Sequence, residues 1–214
     1  MPNTPRTLFC LVRHGETDWN GEKRIQGQID IDLNAAGEAQ ARALRPRLSE
    51  HSFVAAYSSD LKRAWHTARI ATAGSGLTVS PAPTFRERHF GVMQGMTLAE
   101  ACLLSPFAHR HHLARTPNYA GETGESLIEF AARVSEGLDA LAACHAGQSV
   151  LIFTHGGVLD VAYRAATGRA LDAPRDFALP NAVFNWLERC DDGWRLISWA
   201  DYGHLNRALD EVLE

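Results

Sequence analysis

LFCLVRHGETDWN, residues 8–20, decides how the chain is read. An unbroken apolar run from Leu8 to Val12 leads into Arg13 and His14 and stops at Gly15. Strands buried on both faces of a parallel sheet lose the alternation of a half-exposed strand and read as continuous apolar runs. Their carboxyl ends form the sheet edge where α/β proteins place their chemistry. Arg13 and His14 are therefore expected at the end of a buried strand, although a turn that carries a charge fits this segment alone equally well.

A second run, SVLIFTHGG at 149–157, ends in the same way. In a parallel sheet both ends share one edge, so His14 and His155 are expected to converge, each followed by a glycine that lets backbone approach closely. The alternative is that each imidazole only caps a loop through hydrogen bonds. Between the two runs, strand-like and helix-like segments alternate. NAAGEAQARALRPRLSEH (34–51) predicts a helix capped by Asn34, with Pro46 expected to kink or shorten it. FVAAYSS (53–59) predicts a short buried strand, and DLKRAWHTARIATAG (60–74) a helix ending at Gly74.

LTVSPAP (77–83) predicts an edge strand limited by its prolines, and Thr97 with Glu100 forms the capping-box pattern of a short helix. SPFAHRHHLARTPNYAGETG (105–124) shows no period and many turn residues, so it is expected to be a long surface loop. ESLIEFAARVSEGLDALAACHAG (125–147) is the clearest helix, VLDVAYRAATG (158–168) another, and residues 182–200 predict two strands turning at Asp191-Asp192-Gly193. The tail to Glu214 is expected to be a short helix or a loose end. The pattern predicts a three-layer α/β/α sandwich with a mostly parallel central sheet, and one domain over 1–214.

The 214 residues are 45% hydrophobic and 21% charged, an ordinary globular composition. A net charge of −4 provides no global attraction to nucleic acid or anionic lipid, so neither partner is expected and any anion site must be local. The four cysteines lie far apart with no C-x-x-C pair, and no apolar run is long enough to span a membrane. Together with a polar, proline-punctuated start, this predicts a cytoplasmic chain with reduced thiols.

Several residues can carry chemistry. Arg63 is expected in the first turn of a helix that follows a strand, where its guanidinium and the helix amino end would cradle an anion together with Arg13. Glu87, in FRERHFG, is a candidate general acid, although most single carboxylates are simply solvated. His109, His111 and His112 are read as part of an exposed basic loop, because no cysteine or i,i+4 histidine pair supports a metal site. Trp186, Trp194 and Trp199 are expected in sheet packing and Asp160 on a helix face.

Taken together, RHGET-x-x-N at 13–20, SSDLKRAWHTA at 58–68, ERHFG with a following Gln94-Gly95, GES at 124–126 and THGG at 154–157 resemble the histidine phosphatase superfamily, the phosphoglycerate-mutase-like proteins. The resemblance runs from about Thr7 to Ala200. It implies the mutase-like fold and phosphoryl transfer through a phosphohistidine, without metal or other cofactor. Carried onto these positions, it makes His14 the nucleophile and Glu87 the proton donor. Arg13, Arg63 and His155 would hold the phosphoryl group, with Asn20, Gln26 and Gly156 as further contacts. Neighbouring arginines should lower the His14 pKa and keep its imidazole neutral.

ERHFGVMQGMT resembles the mutases. The short span from Glu87 to His155, Leu98 in place of a mutase lysine, and Gly157-Val158-Leu159 after the second histidine do not. The expected activity is hydrolysis of small-molecule phosphate monoesters, with phosphoglycerate mutation and non-catalytic binding of a phospho-ligand as alternatives. Arg110 and Arg115 are candidates for a substrate carboxylate or second phosphate. A homodimer is compatible with this reading.

Overall fold

The computed structural model describes residues 6–205, so the expectation for the tail lies outside the described residues. Strand β1 (Thr7–Arg13) lies inside a six-stranded sheet flanked by β4 (Ser149–Thr154) and β5 (Phe184–Cys190). The order continues outward through β2 (Ala55–Ser58) to β3 (Val79–Pro81) on one side, and to β6 (Gly193–Asp201) on the other. β3, β2, β4 and β1 run parallel, while the β5–β6 hairpin is antiparallel to its neighbours in the sheet. Prolines are tolerated in β3 because it is an edge strand.

The side-chain period of two sorts each central strand between two cores. Phe9, Leu11, Val150 and Ile152 join Phe130 and Val134 of α6 (Leu127–Cys144) and Leu159 and Val161 of α7 (Gly156–Thr167). Cys10, Val12, Leu151 and Phe153 face the other way, onto Leu44 of α2 (Ala35–Ser49) and Ala68 of α3 (Lys62–Ala71). Two cores on opposite faces of one sheet give the expected three layers. Trp194 and Trp199 pack on the first core and Trp186 on the second, as sheet packing requires.

Two local expectations need correction, and the segment after β1 adds a helix. Pro46 does not shorten α2, which runs on to Ser49; the proline lies in the last turn, where only one backbone bond is lost. The polar loop after β1 contains a short helix, α1 (Asp18–Gly21), made by a Thr17–Asn20 capping box. Residues 105–124 are not all loop. After α4 (Leu98–Leu104), Pro106 opens α5 (Pro106–Leu113), because a proline at the first helical position gives up a donor that has no partner there anyway. Only Ala108 of α5 is buried, against Met93 and Ala101, while Phe107 and Leu113 are exposed, so no helical period marks the segment. Among the described residues no helix is long and apolar enough to cross a membrane.

Candidate active site

β1 and β4 are paired with Arg13 opposite Thr154, so the next residue of each strand lies at the same edge. His14 N–H donates to the Thr154 carbonyl at 2.9 Å, and the His14 and His155 rings stand 5.3 Å apart between centroids. Both imidazoles are buried. The chain turns away at Gly15, where a Cβ would lie 2.5 Å from the Gly37 carbonyl oxygen of α2. Glycine here serves the packing of protein on protein, not only the approach of a ligand.

His14 Nδ1 lies 2.7 Å from the Gly15 carbonyl oxygen. A carbonyl only accepts, so Nδ1 carries the proton and Nε2 keeps its lone pair. Burial holds the His14 pKa well below 6.5, with Arg63 and then Arg13 adding to the effect. The expected direction holds, but desolvation outweighs the arginines. The result is a neutral imidazole whose lone-pair nitrogen, Nε2, is defined by a backbone hydrogen bond at Nδ1.

Both guanidiniums are buried at the same edge. Arg13 Nη1 donates to the Leu179 carbonyl, and Arg63 donates to the carbonyls of Ile29 at 2.9 Å and Gly27 at 2.6 Å. These backbone contacts fix the guanidinium planes from α3 and β1. Asn20 is buried in its capping box with Thr17, and buried Gln26 has an Oε1 without a hydrogen-bond partner among the described residues.

Glu87 follows a 3-10 turn at Pro83–Phe85 and reaches the start of α7. Its carboxylate accepts from Gly157 N–H at 2.9 Å and Arg88 N–H at 2.7 Å. Burial raises its pKa above the usual 4.5, against the lowering effect of these two amides and of Arg63 and Arg13. Arg133 of α6 braces this loop through the carbonyls of Thr84 at 2.6 Å and Arg86 at 3.1 Å, and is itself held by Glu125 at 2.8 Å.

The two glycines after His155 differ. A Cβ on Gly156, the first residue of α7, would make an ordinary 3.5 Å contact with Arg13, whereas one on Gly157 would collide with Glu87 Oε1. We expect Gly157→Ala to displace the Glu87 carboxyl and lower kcat by roughly tenfold, the cost of a misplaced acid. Gly156→Ala should have a much smaller effect. Equal kcat for the two variants would show that Glu87 tolerates the displacement.

Other residues turn out differently from expectation. Asp160 lies on α7 as expected, but it is buried between Arg164 at 2.9 Å and Arg115 at 2.6 Å. Arg115 is thereby tied to α7, with a further bond to the Leu171 carbonyl at 2.8 Å, while Arg110 lies over the Phe107 ring. His111 bonds Thr116 and stacks on Tyr119, and His112 packs against Phe90. Among the described residues, no group of three or more histidine, cysteine or acidic side chains could hold a metal ion. Sequence reasoning missed Ser59, 2.8 Å from His155 Nε2, and Asn181, which donates to the His14 carbonyl at 2.9 Å. Ser59 was within reach, because it follows a strand as the two histidines do; nothing marks Asn181 or Arg133.

His14, His155 and His112 are all held below 6.5 chiefly by burial, His112 at about 4. Unfolding frees them to bind protons near 6.5, so below that pH the unfolded state takes up more protons and stability falls. Glu87 acts in the opposite sense, but it is one group against these three and His204, which burial also holds below 6.5. Tm should therefore fall between about pH 7 and about pH 5, steeply for so few groups. A Tm that stays level or rises over this interval would contradict the buried neutral imidazoles.

The sheet edge of this α/β protein thus brings together two buried histidines, two buried arginines and the carboxyl group of Glu87. Residues 9–202 match the family model for the histidine phosphatase superfamily (branch 1), and the chain belongs to that family. It is 40% identical over 203 residues to the metal-independent phosphoserine phosphatase of Arabidopsis thaliana, covering 94% of this chain and 84% of that one. It is 38% identical over 200 residues to phosphoglycerate mutase-like protein 4 of the same plant, covering 92% and 86%. The solved structure of Bacillus stearothermophilus YhfR superposes with a TM-score of 0.84 at 31% identity, over 92% of this chain and 98% of that one.

Proposed function

We propose that the protein is a phosphomonoesterase that hydrolyses small-molecule phosphate esters through a phosphohistidine on His14. The observation that carries this reading is a neutral His14 with a defined Nε2 lone pair, set among two buried guanidiniums and a carboxyl of raised pKa. In the first step Nε2 attacks phosphorus, the ester P–O bond breaks, and Glu87 gives its proton to the leaving oxygen. In the second, water attacks phosphorus while Glu87 takes its proton. The P–N bond breaks and its electron pair returns to Nε2, releasing inorganic phosphate.

Charge in the transition state spreads over the three equatorial oxygens, so fixed donors on Arg13, Arg63 and His155 do most of the stabilising. Asn20, Gln26 and the Gly156 amide complete the cradle in this reading. Arg13 and Arg63 supply the positive charge that a metal ion supplies in other phosphoryl-transfer sites. We read residues 1–214 as one catalytic domain, supported by a single sheet that joins strands from residue 7 to residue 201. Four free thiols support a cytoplasmic setting.

A panel of phosphate esters assayed with chelator tests the reading. Phosphoserine comes first, because it is the substrate named for the Arabidopsis relative. Conversion of 3- to 2-phosphoglycerate is assayed alongside. Phosphate release without isomerisation is expected. Efficient isomerisation with little release would instead favour the mutase reading of ERHFGVMQG, and inactivity in both assays would favour a phospho-ligand binding protein.

A further inference from the structure

We propose that Ser59 is a positioning residue: it fixes the proton of His155 on Nδ1, so that this N–H is presented to the phosphoryl group. The proposal rests on the phosphoryl-transfer reading of the site. Ser59 follows β2 at the same sheet edge as the two histidines, and its N–H donates to the Phe153 carbonyl at 3.0 Å. That bond seats a fully buried hydroxyl beside β4, with Oγ 2.8 Å from His155 Nε2.

The direction of this hydrogen bond follows from counting protons. A serine hydroxyl has one proton and two lone pairs. Ser59 Oγ already accepts from Leu61 N–H at 3.3 Å, and among the described residues its only other partner is His155 Nε2. If Ser59 donates to Nε2, its own proton is satisfied and His155 carries its proton on Nδ1. The reverse arrangement leaves the buried Ser59 proton without an acceptor, a costly state, and turns the Nδ1 lone pair toward a bound anion.

His155 Nδ1 is itself buried, with no hydrogen-bond partner among the described residues. An unmet buried donor next to His14 is satisfied when a phosphoryl oxygen accepts from it. Burial, Arg63, His14 and Arg13 all hold the His155 pKa well below 6.5. A neutral ring donates from one nitrogen only, so the choice of tautomer decides whether His155 helps or repels the anion. Ser59 makes that choice before substrate arrives.

Two-bond ¹H–¹⁵N correlation spectra of the full chain, recorded with inorganic phosphate, read the tautomer directly. We expect Nδ1 protonated and Nε2 unprotonated at His155, with Ser59→Ala giving a mixture of tautomers. Nε2–H in the unaltered protein would overturn the proposal without any variant having to fold. Kinetically, Ser59→Ala should lower kcat by roughly tenfold with KM little changed, because the donor acts mainly in the transition state. Ser59→Thr, which keeps the hydroxyl, should restore most of the rate. Unchanged kcat in Ser59→Ala would also overturn the proposal. If the unaltered chain hydrolyses no ester, the phosphatase reading fails, and the spectra still decide the Ser59 assignment.

Discussion

His14→Ala is expected to abolish ester hydrolysis, with a fall in kcat of at least about 10⁴-fold, because the covalent step loses its nucleophile. The other imidazole of the site, His155, stands 5.3 Å from the His14 ring between centroids and has its Nε2 paired with Ser59 Oγ, so it is not set to take over the attack. Removing a buried ring also leaves a cavity, so Tm is measured on the same preparation. His14→Asn, which retains polarity and most of the volume, provides a second test. Activity within tenfold of the unaltered chain in a folded variant would mean that another group attacks phosphorus.

The second large effect is expected at Glu87. Glu87→Gln should lower kcat by about 10²- to 10⁴-fold on alkyl phosphates, whose leaving oxygen needs a proton. On p-nitrophenyl phosphate the loss in the first step should be far smaller, because that leaving group departs as a stable anion. The amide oxygen of glutamine can still accept from Gly157 or Arg88, so the loop keeps much of its anchoring. Burial raises the Glu87 pKa, so the protonated form persists to higher pH than for a solvated carboxyl. Equal losses on both esters would assign Glu87 a structural role.

The architecture was legible because β1 and β4 are apolar on both faces, as strands covered on both sides of a largely parallel sheet are. The same runs located the site, since each ends in a histidine at one edge. The role of the glycines was less legible. Gly15 and Gly157 yield to protein backbone and to Glu87, whereas Gly156 does not need to be so small. Contacts set by the tertiary fold left no local pattern: Arg133 reaches the Glu87 loop from the middle of α6, and Asn181 reaches His14 from the turn before β5. α5 escaped detection because a helix resting on solvent and a small satellite cluster needs no apolar stripe.

Hydrolysis by this route passes through a covalent phosphoryl group on His14. Rapid mixing with a labelled phosphate ester, quenching in alkali to preserve the P–N bond, and peptide mapping by mass spectrometry test it most directly. One phosphoryl group is expected on the peptide containing His14, appearing before steady-state phosphate release and absent from His14→Ala. Turnover with no labelled peptide at any mixing time, or with the label on another residue, would contradict it.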